Sequence, residues 1–137
     1  LESLAARAAL ITLRRAHPLP FYSLSHSFPW AAAAISPYPL AIDMERRRPF
    51  PEKVQPYFTQ DLEPEYFTAK NKTFWHAWCA KEVAYKLLCR EFAEISFRKE
   101  LLFDGEQVIF IRRQTERYIA LRFIEEAEWI LAVGSFA

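Results

Sequence analysis

The chain has 137 residues, 52% of them hydrophobic and 16% aromatic, which fits one domain with a sizeable core. Its net charge of +1 excludes bulk electrostatic capture of nucleic acid or of an anionic membrane surface. With only two Gly it offers no glycine-rich phosphate loop, and its two Cys and three His are too scattered for a zinc pattern.

In chain order, residues 2–16 are rich in Ala and Leu, and Leu4, Ala8, Ile11 and Arg15 lie on one stripe, as in an amphipathic helix. Pro18 and Pro20 end it. Residues 21–25 read as a short strand that runs into Ser25-His26-Ser27. Residues 30–36 read as a buried strand, although four Ala equally suit a helix. After Pro37-Tyr38-Pro39, residues 40–45 alternate as a third strand, and three antiparallel strands joined by tight turns is the simplest arrangement. Residues 52–58 and 63–69 read as short helices, the second capped by Asp61 and tolerating Pro64 in its first turn.

The longest helix is expected over 71–90, with Asn71 or Thr73 at its start. Trp75, Trp78, Cys79, Glu82 and Lys86 share one of its faces, because residues three and four apart stack. Large aromatics on that face call for burial, yet a carboxylate and an ammonium sit among them. A Glu82–Lys86 ion pair at the rim of a core helix is one resolution; a functional site is the other. Beyond it, residues 95–103 look extended, and Asp104-Gly105 is a hairpin signal. Residues 107–112, 118–124 and 129–135 then read as antiparallel strands. The whole is α+β.

Asp43 and Glu45 are two apart on a strand and project together. Adjacent carboxylates both ionise cheaply only with a cation between them, and hard oxygen ligands suit Mg²⁺. The alternative is a solvated strand end answered by Arg46, Arg47 and Arg48. Cys79 and Cys89 would lie about 15 Å apart along a helix axis, too far for a disulfide. They read as reduced thiols, and a cytoplasmic location is expected. No apolar run reaches membrane-spanning length. The chain opens on Leu1 and shows no signal-peptide core, so further residues upstream are expected.

Three segments in this order, Ser23-Leu24-Ser25-His26-Ser27, Ala41-Ile42-Asp43-Met44-Glu45 and Trp78-Cys79-Ala80-Lys81-Glu82-Val83-Ala84-Tyr85-Lys86, resemble the 4′-phosphopantetheinyl transferases of the surfactin-synthetase-activating type. That family shows S-x-S-H-S, G-[IV]-D-[IV]-E and W-[SCT]-x-K-E-[AS]-x-x-K. Ala41 stands where the family has Gly, and Val83 where it has a small residue. The resemblance implies an α+β module, a small antiparallel sheet packed on a long helix. It implies that Asp43, Glu45 and Glu82 hold Mg²⁺. Glu82 would serve as base for the attacking hydroxyl and Lys86 would stabilise phosphate charge, with Lys81 a weaker candidate for the same work. Ser25 and His26 would bind coenzyme A, His26 at its 3′-phosphate. The partners implied are coenzyme A and an acyl- or peptidyl-carrier protein, with neither nucleic acid nor membrane. Enzymes of this motif order carry two similar halves around coenzyme A. The chain would supply one of them as a single domain over 1–137, so self-association or a missing half is expected. A non-catalytic member that binds carrier protein or coenzyme A is the rival reading.

Overall fold

A computed structural model describes residues 3–137. Helix α1 (Leu4–Ala16) starts at Ser3, whose hydroxyl accepts the Ala6 amide at 3.0 Å. Two strands follow, β1 (Phe21–Ser27) and β2 (Trp30–Ser36), paired antiparallel from Phe21↔Ser36 to Ser27↔Trp30. The Ala-rich run is therefore strand, and it offers a shallow surface on which α1 lies. The stripe expected to pack is not the one that does. Leu4 and Ile11 are exposed, and Ala6, Leu10 and Leu13 take the inward side. A small residue at Ala6 allows close approach to the alanines of β2.

Strand β3 (Ala41–Arg46) does not extend that hairpin as a third antiparallel strand. It forms the edge of a separate five-stranded antiparallel sheet, in the order β3-β7-β6-β5-β4. Its partner β7 (Trp129–Phe136) comes from the far end of the chain, in register Ala41↔Gly134 to Arg46↔Trp129. Strands β4 (Leu101–Phe103), β5 (Gln107–Arg112) and β6 (Thr115–Glu125) complete the sheet. The three C-terminal strands appear where alternation places them, with Val108, Phe110, Ile119, Ile130 and Ala132 buried. The Asp104-Gly105 turn closes β4 on β5. Gly105 takes φ +103°, and one Asp104 oxygen accepts the amides of Glu106 and Gln107. Residues 95–100 are not extended. Glu100 bonds back to the Ser96 amide and pairs with Arg112, which folds the segment into a turn before β4.

Between β3 and the long helix, a single helical turn at Glu52–Val54 leads into α2 (Gln55–Phe58), followed by α3 (Glu63–Thr68). Asp61 is not the cap of α3; it is exposed and pairs with Arg98 at 3.0 Å. Helix α4 (Phe74–Leu88) is shorter than expected at both ends. Asn71 sits at φ 60°, outside the right-handed helical region, so Thr73 becomes the N-cap. His76 Nδ1 accepts the Thr73 amide at 3.0 Å, and His76 Nε2 lies 2.8 Å from Glu125. The ring therefore carries its proton on Nε2. Helix α4 packs across β7 and β3, and the core fills the space between with Phe67, Leu88, Leu101, Phe103 and Phe110. The expected mixed α+β architecture is observed. Among the described residues, no helix is long and apolar enough to cross a membrane. Cys79 is buried, Cys89 is exposed, and neither is in a disulfide.

Candidate active site

Being an edge strand, β3 has one ladder side on β7 and the other side turned towards β1. No backbone ladder forms across that second gap. Instead the amides of Ile42, Met44 and Arg46 donate to the hydroxyl oxygens of Ser23, Ser25 and Ser27 at 3.0, 2.9 and 2.9 Å. The partner numbers rise together, so β1 and β3 run parallel with serine side chains standing in for carbonyls. Lys86 reaches into the same seam from α4. Its ammonium donates to Ile42 O at 2.7 Å and Leu24 O at 3.3 Å, and lies 3.6 Å from Asp43 Oδ1. Side chains thus satisfy both the donors and the acceptors of an edge that water does not reach freely.

Asp43 lies at the centre of this arrangement, 8% exposed. Its Oδ1 faces Ser25 Oγ at 3.5 Å and Lys86, while Oδ2 is buried with no hydrogen-bond partner within bonding geometry. The Cys79 thiol, a weak donor, favours the ionised carboxylate without closing a full bond to Oδ2. An orphaned carboxylate oxygen is costly, and a site that contains one calls for an explanation. Burial pushes the Asp43 carboxyl up to about 7; Lys86 works against this, while Glu82 and Glu45 add to it. Burial also raises Glu82, which feels Lys86 in one direction and Glu45 in the other. The i to i+4 resolution of the helix face is therefore not the one adopted. The ion pair of Lys86 is with Asp43, and Glu82 feels it at longer range. The Cys79 thiol lies beside Asp43 and is pushed well up, by burial first and by the carboxylates second, so it stays protonated.

Glu45 carries two further contacts, both on Oε2. Ser27 Oγ lies 3.4 Å away and Arg48 Nη2 3.3 Å. The Arg48 guanidinium stacks 4.1 Å above the Trp75 ring, and Trp75 Nε1 donates to Arg48 O at 2.7 Å. Trp75 thus serves as a platform that fixes the arginine which fixes Glu45.

The structure brings Asp43, Glu45, Glu82, Lys86 and Ser25 to one place. Ser25 is not open to a ligand: it is 8% exposed and its hydroxyl is turned into the seam. His26 alternates with the serines along β1 and is exposed on the other side of the strand. Lys81 is a correction. It is fully buried, and its ammonium donates to Phe58 O, Glu63 Oε1 and Phe97 O at 2.6, 2.8 and 2.9 Å. With three N–H groups and three acceptors it has nothing left for a phosphate. Sequence reading missed Glu63, whose carboxylate also accepts the amides of Gln60 and Phe103. It gave no role to Ser27; Arg48, expected only as one of three arginines answering a solvated strand end, is the one that reaches Glu45. A surface concavity of about 750 Å³, lined by Gln60, Glu63, Tyr66, Arg98 and Ile109 among others, holds none of Asp43, Glu45, Glu82 and Lys86. A narrower cleft of about 180 Å³ opens beside Lys86 and Arg90.

Residues 39–134, more than half of the chain, match the family described as the 4′-phosphopantetheinyl transferase superfamily. The chain belongs to that superfamily. No curated protein matches it. In this transferase-family chain, both departures from the motif pattern meet at one glycine. Gly134 is the strand partner of Ala41, and a Cβ placed on it would stand 2.5 Å from Val83 Cγ1. The missing side chain at Gly134 makes the room that Val83 fills.

Among the described residues, no three acidic, His or Cys side chains stand close enough to enclose a metal ion as they are. The donor set nonetheless fits a hard divalent cation. Asp43 offers a buried oxygen without a partner, and Glu45 and Glu82 are near enough to raise its proton affinity. Glu82 is half-buried and has freedom to turn, while Glu45 is held through Oε2 and leaves Oε1 for a further partner.

Proposed function

We propose that this chain transfers 4′-phosphopantetheine from coenzyme A to a serine of an acyl- or peptidyl-carrier protein, with Mg²⁺ held by Asp43, Glu45 and Glu82. The single observation that carries this is the buried, unpartnered Oδ2 of Asp43, next to two more carboxylates and one lysine. The order of its three motifs supports the surfactin-synthetase-activating subtype within the superfamily. When bound, the cation would neutralise charge on the coenzyme A pyrophosphate.

The chain's own groups account for the rest. The carrier serine oxygen attacks the β-phosphorus, the bond to the adenosine-bearing phosphate breaks, and adenosine 3′,5′-bisphosphate leaves. Glu82 takes the serine proton; burial raises its carboxyl above the usual carboxylate value, which strengthens it as a base. Lys86 keeps a positive charge fixed at the seam and, with Arg90, lines the cleft that suits the anionic end of coenzyme A. His26 remains the proposed contact for the 3′-phosphate.

The second reading is a non-catalytic member that binds coenzyme A or carrier protein. The Lys86–Asp43 ion pair favours it, since an internal cation already answers the buried acid. Titrating coenzyme A by calorimetry, with Mg²⁺ and then with chelator, tests both. A panel of apo-carrier proteins incubated in parallel is weighed. Metal-dependent binding and a mass gain of one phosphopantetheine arm are expected. Binding without any mass gain leaves the second reading standing, and no binding in either condition overturns both.

A further inference from the structure

Resting on that metal-dependent reading, we propose that Ser25 and Ser27 are positioning residues that orient Asp43 and Glu45 for a divalent cation. Each serine oxygen is fixed by accepting a β3 amide, Met44 for Ser25 and Arg46 for Ser27, both at 2.9 Å. A hydroxyl that accepts an amide still has one proton to give. In each case it faces the carboxylate one residue before that amide, Asp43 Oδ1 at 3.5 Å and Glu45 Oε2 at 3.4 Å. These contacts are longer than an ideal O–H···O bond, so their weight is directional rather than energetic.

The direction is what matters. Each carboxylate is gripped through one oxygen, by a serine and a cation together. For Asp43 the grip is Ser25 and Lys86 on Oδ1; for Glu45 it is Ser27 and Arg48 on Oε2. The other oxygen of each is left for a further partner, and for Asp43 it is the buried atom that has none. Outer groups of this kind orient metal ligands in the same way that carboxylates orient ligating histidines.

The fold contains its own control. Ser23 makes the same bond, to the Ile42 amide at 3.0 Å, but the residue before that amide is Ala41. Ser23 serves the seam and no carboxylate.

The experiment uses the full chain and its Ser23→Ala, Ser25→Ala, Ser27→Ala and Ser27→Thr variants. Melting is followed in chelator, and Mg²⁺ affinity is measured by calorimetry in the presence of coenzyme A. All three alanine variants should melt lower by similar amounts. Ser25→Ala and Ser27→Ala should weaken Mg²⁺ about tenfold, the lower end for outer-shell changes. Ser23→Ala should change it less than about twofold by the same standard, and Ser27→Thr, which keeps the hydroxyl, should restore it. If Ser25→Ala does not fold, the Ser27 pair decides. Wild-type binding with Ser25→Ala and Ser27→Ala no weaker than Ser23→Ala overturns the positioning role alone. A wild type that shows no Mg²⁺ response overturns the metal-dependent reading and the positioning role together.

Discussion

The five-stranded sheet with α4, and the β1–β2 ribbon with α1, are held by different chemistry. The first is closed by apolar packing: Phe67, Phe103, Phe110, Leu88 and Ile119 are fully buried, and one saturated ion pair lies among them. The second buries little of its own. Ala6 is the single buried residue of α1, and the ribbon meets β3 through serine oxygens and one lysine. The family match, which begins at residue 39, covers the packed part and leaves the ribbon out. The difference separates two tasks. Packing decides where the acids stand, and the hydroxyl seam decides how they are turned.

The strongest way to break the packed part is to remove one charge from its interior. Lys81→Met strands the fully buried Glu63 carboxylate, and losing one partner of a buried pair costs about 3–5 kcal/mol. Urea unfolding should show that loss over the whole transition. A variant within about 1 kcal/mol of wild type would mean that water reaches Glu63, contrary to the burial seen here.

The next effect runs the other way. Folding raises the Asp43 carboxyl from 3.8 to about 7, so the folded state holds an extra proton between those values. The contribution of Asp43 to stability without metal is then greatest below about pH 4 and falls as pH rises to about 7. Asp43→Asn removes that loss, a gain of up to about 4 kcal/mol above pH 7, a figure that already includes the pull of Lys86. Melting curves of variant and wild type in chelator should converge at pH 4 and separate above it, while transfer by the variant is abolished. Parallel curves at every pH would show that Asp43 is ordinarily ionised.

A steric test sharpens the account of the helix–sheet contact. Gly134→Ala drives a methyl to 2.5 Å from Val83 Cγ1, with Leu121 and Ile119 also near, and should destabilise by about 1–3 kcal/mol. Adding Val83→Ala should recover much of this, which a thermodynamic cycle would read as non-additivity. Additive losses would mean that the two residues do not share the space.

The smallest effect belongs to the ribbon. Ser23→Ala leaves the Ile42 amide without its acceptor, at a cost of about 1 kcal/mol. Hydrogen exchange should quicken in β1, β2 and the β1-facing amides of β3, and stay unchanged in β5 and β6. Uniform quickening would show that ribbon and sheet open as one unit.

The site was readable in the sequence where it rests on local periods. Period two on β3 brings Asp43 and Glu45 together, and helical spacing on α4 brings Glu82 and Lys86 to the same side. Lys81 misled because neighbours in sequence are not neighbours on a helix; it lies off the face that carries Trp78, Glu82 and Lys86. Its partner Glu63 is 18 residues away, with no periodic relation to it. The α1 stripe failed because Leu4 and Ile11 outweigh Ala6 in hydrophobicity but not in fit. The three-stranded meander failed because β3 pairs with β7 on one side and on the other meets β1, in parallel, through serine hydroxyls. The seam left no local trace, since its serines bond to amides 19 residues on.

Lys81 has a consequence that reaches its neighbour. Successive residues on a helix point about 100° apart, so Lys81 and Glu82 leave α4 in different directions. A helix held by Leu and Ala alone can roll about its axis, because one apolar neighbour replaces another at little cost. This one cannot roll without pulling an ammonium from three acceptors on three separate segments, at Phe58, Glu63 and Phe97. The buried lysine acts as a key in a shaft. It contributes no charge to the cleft, yet it sets the azimuth at which Glu82 meets β3.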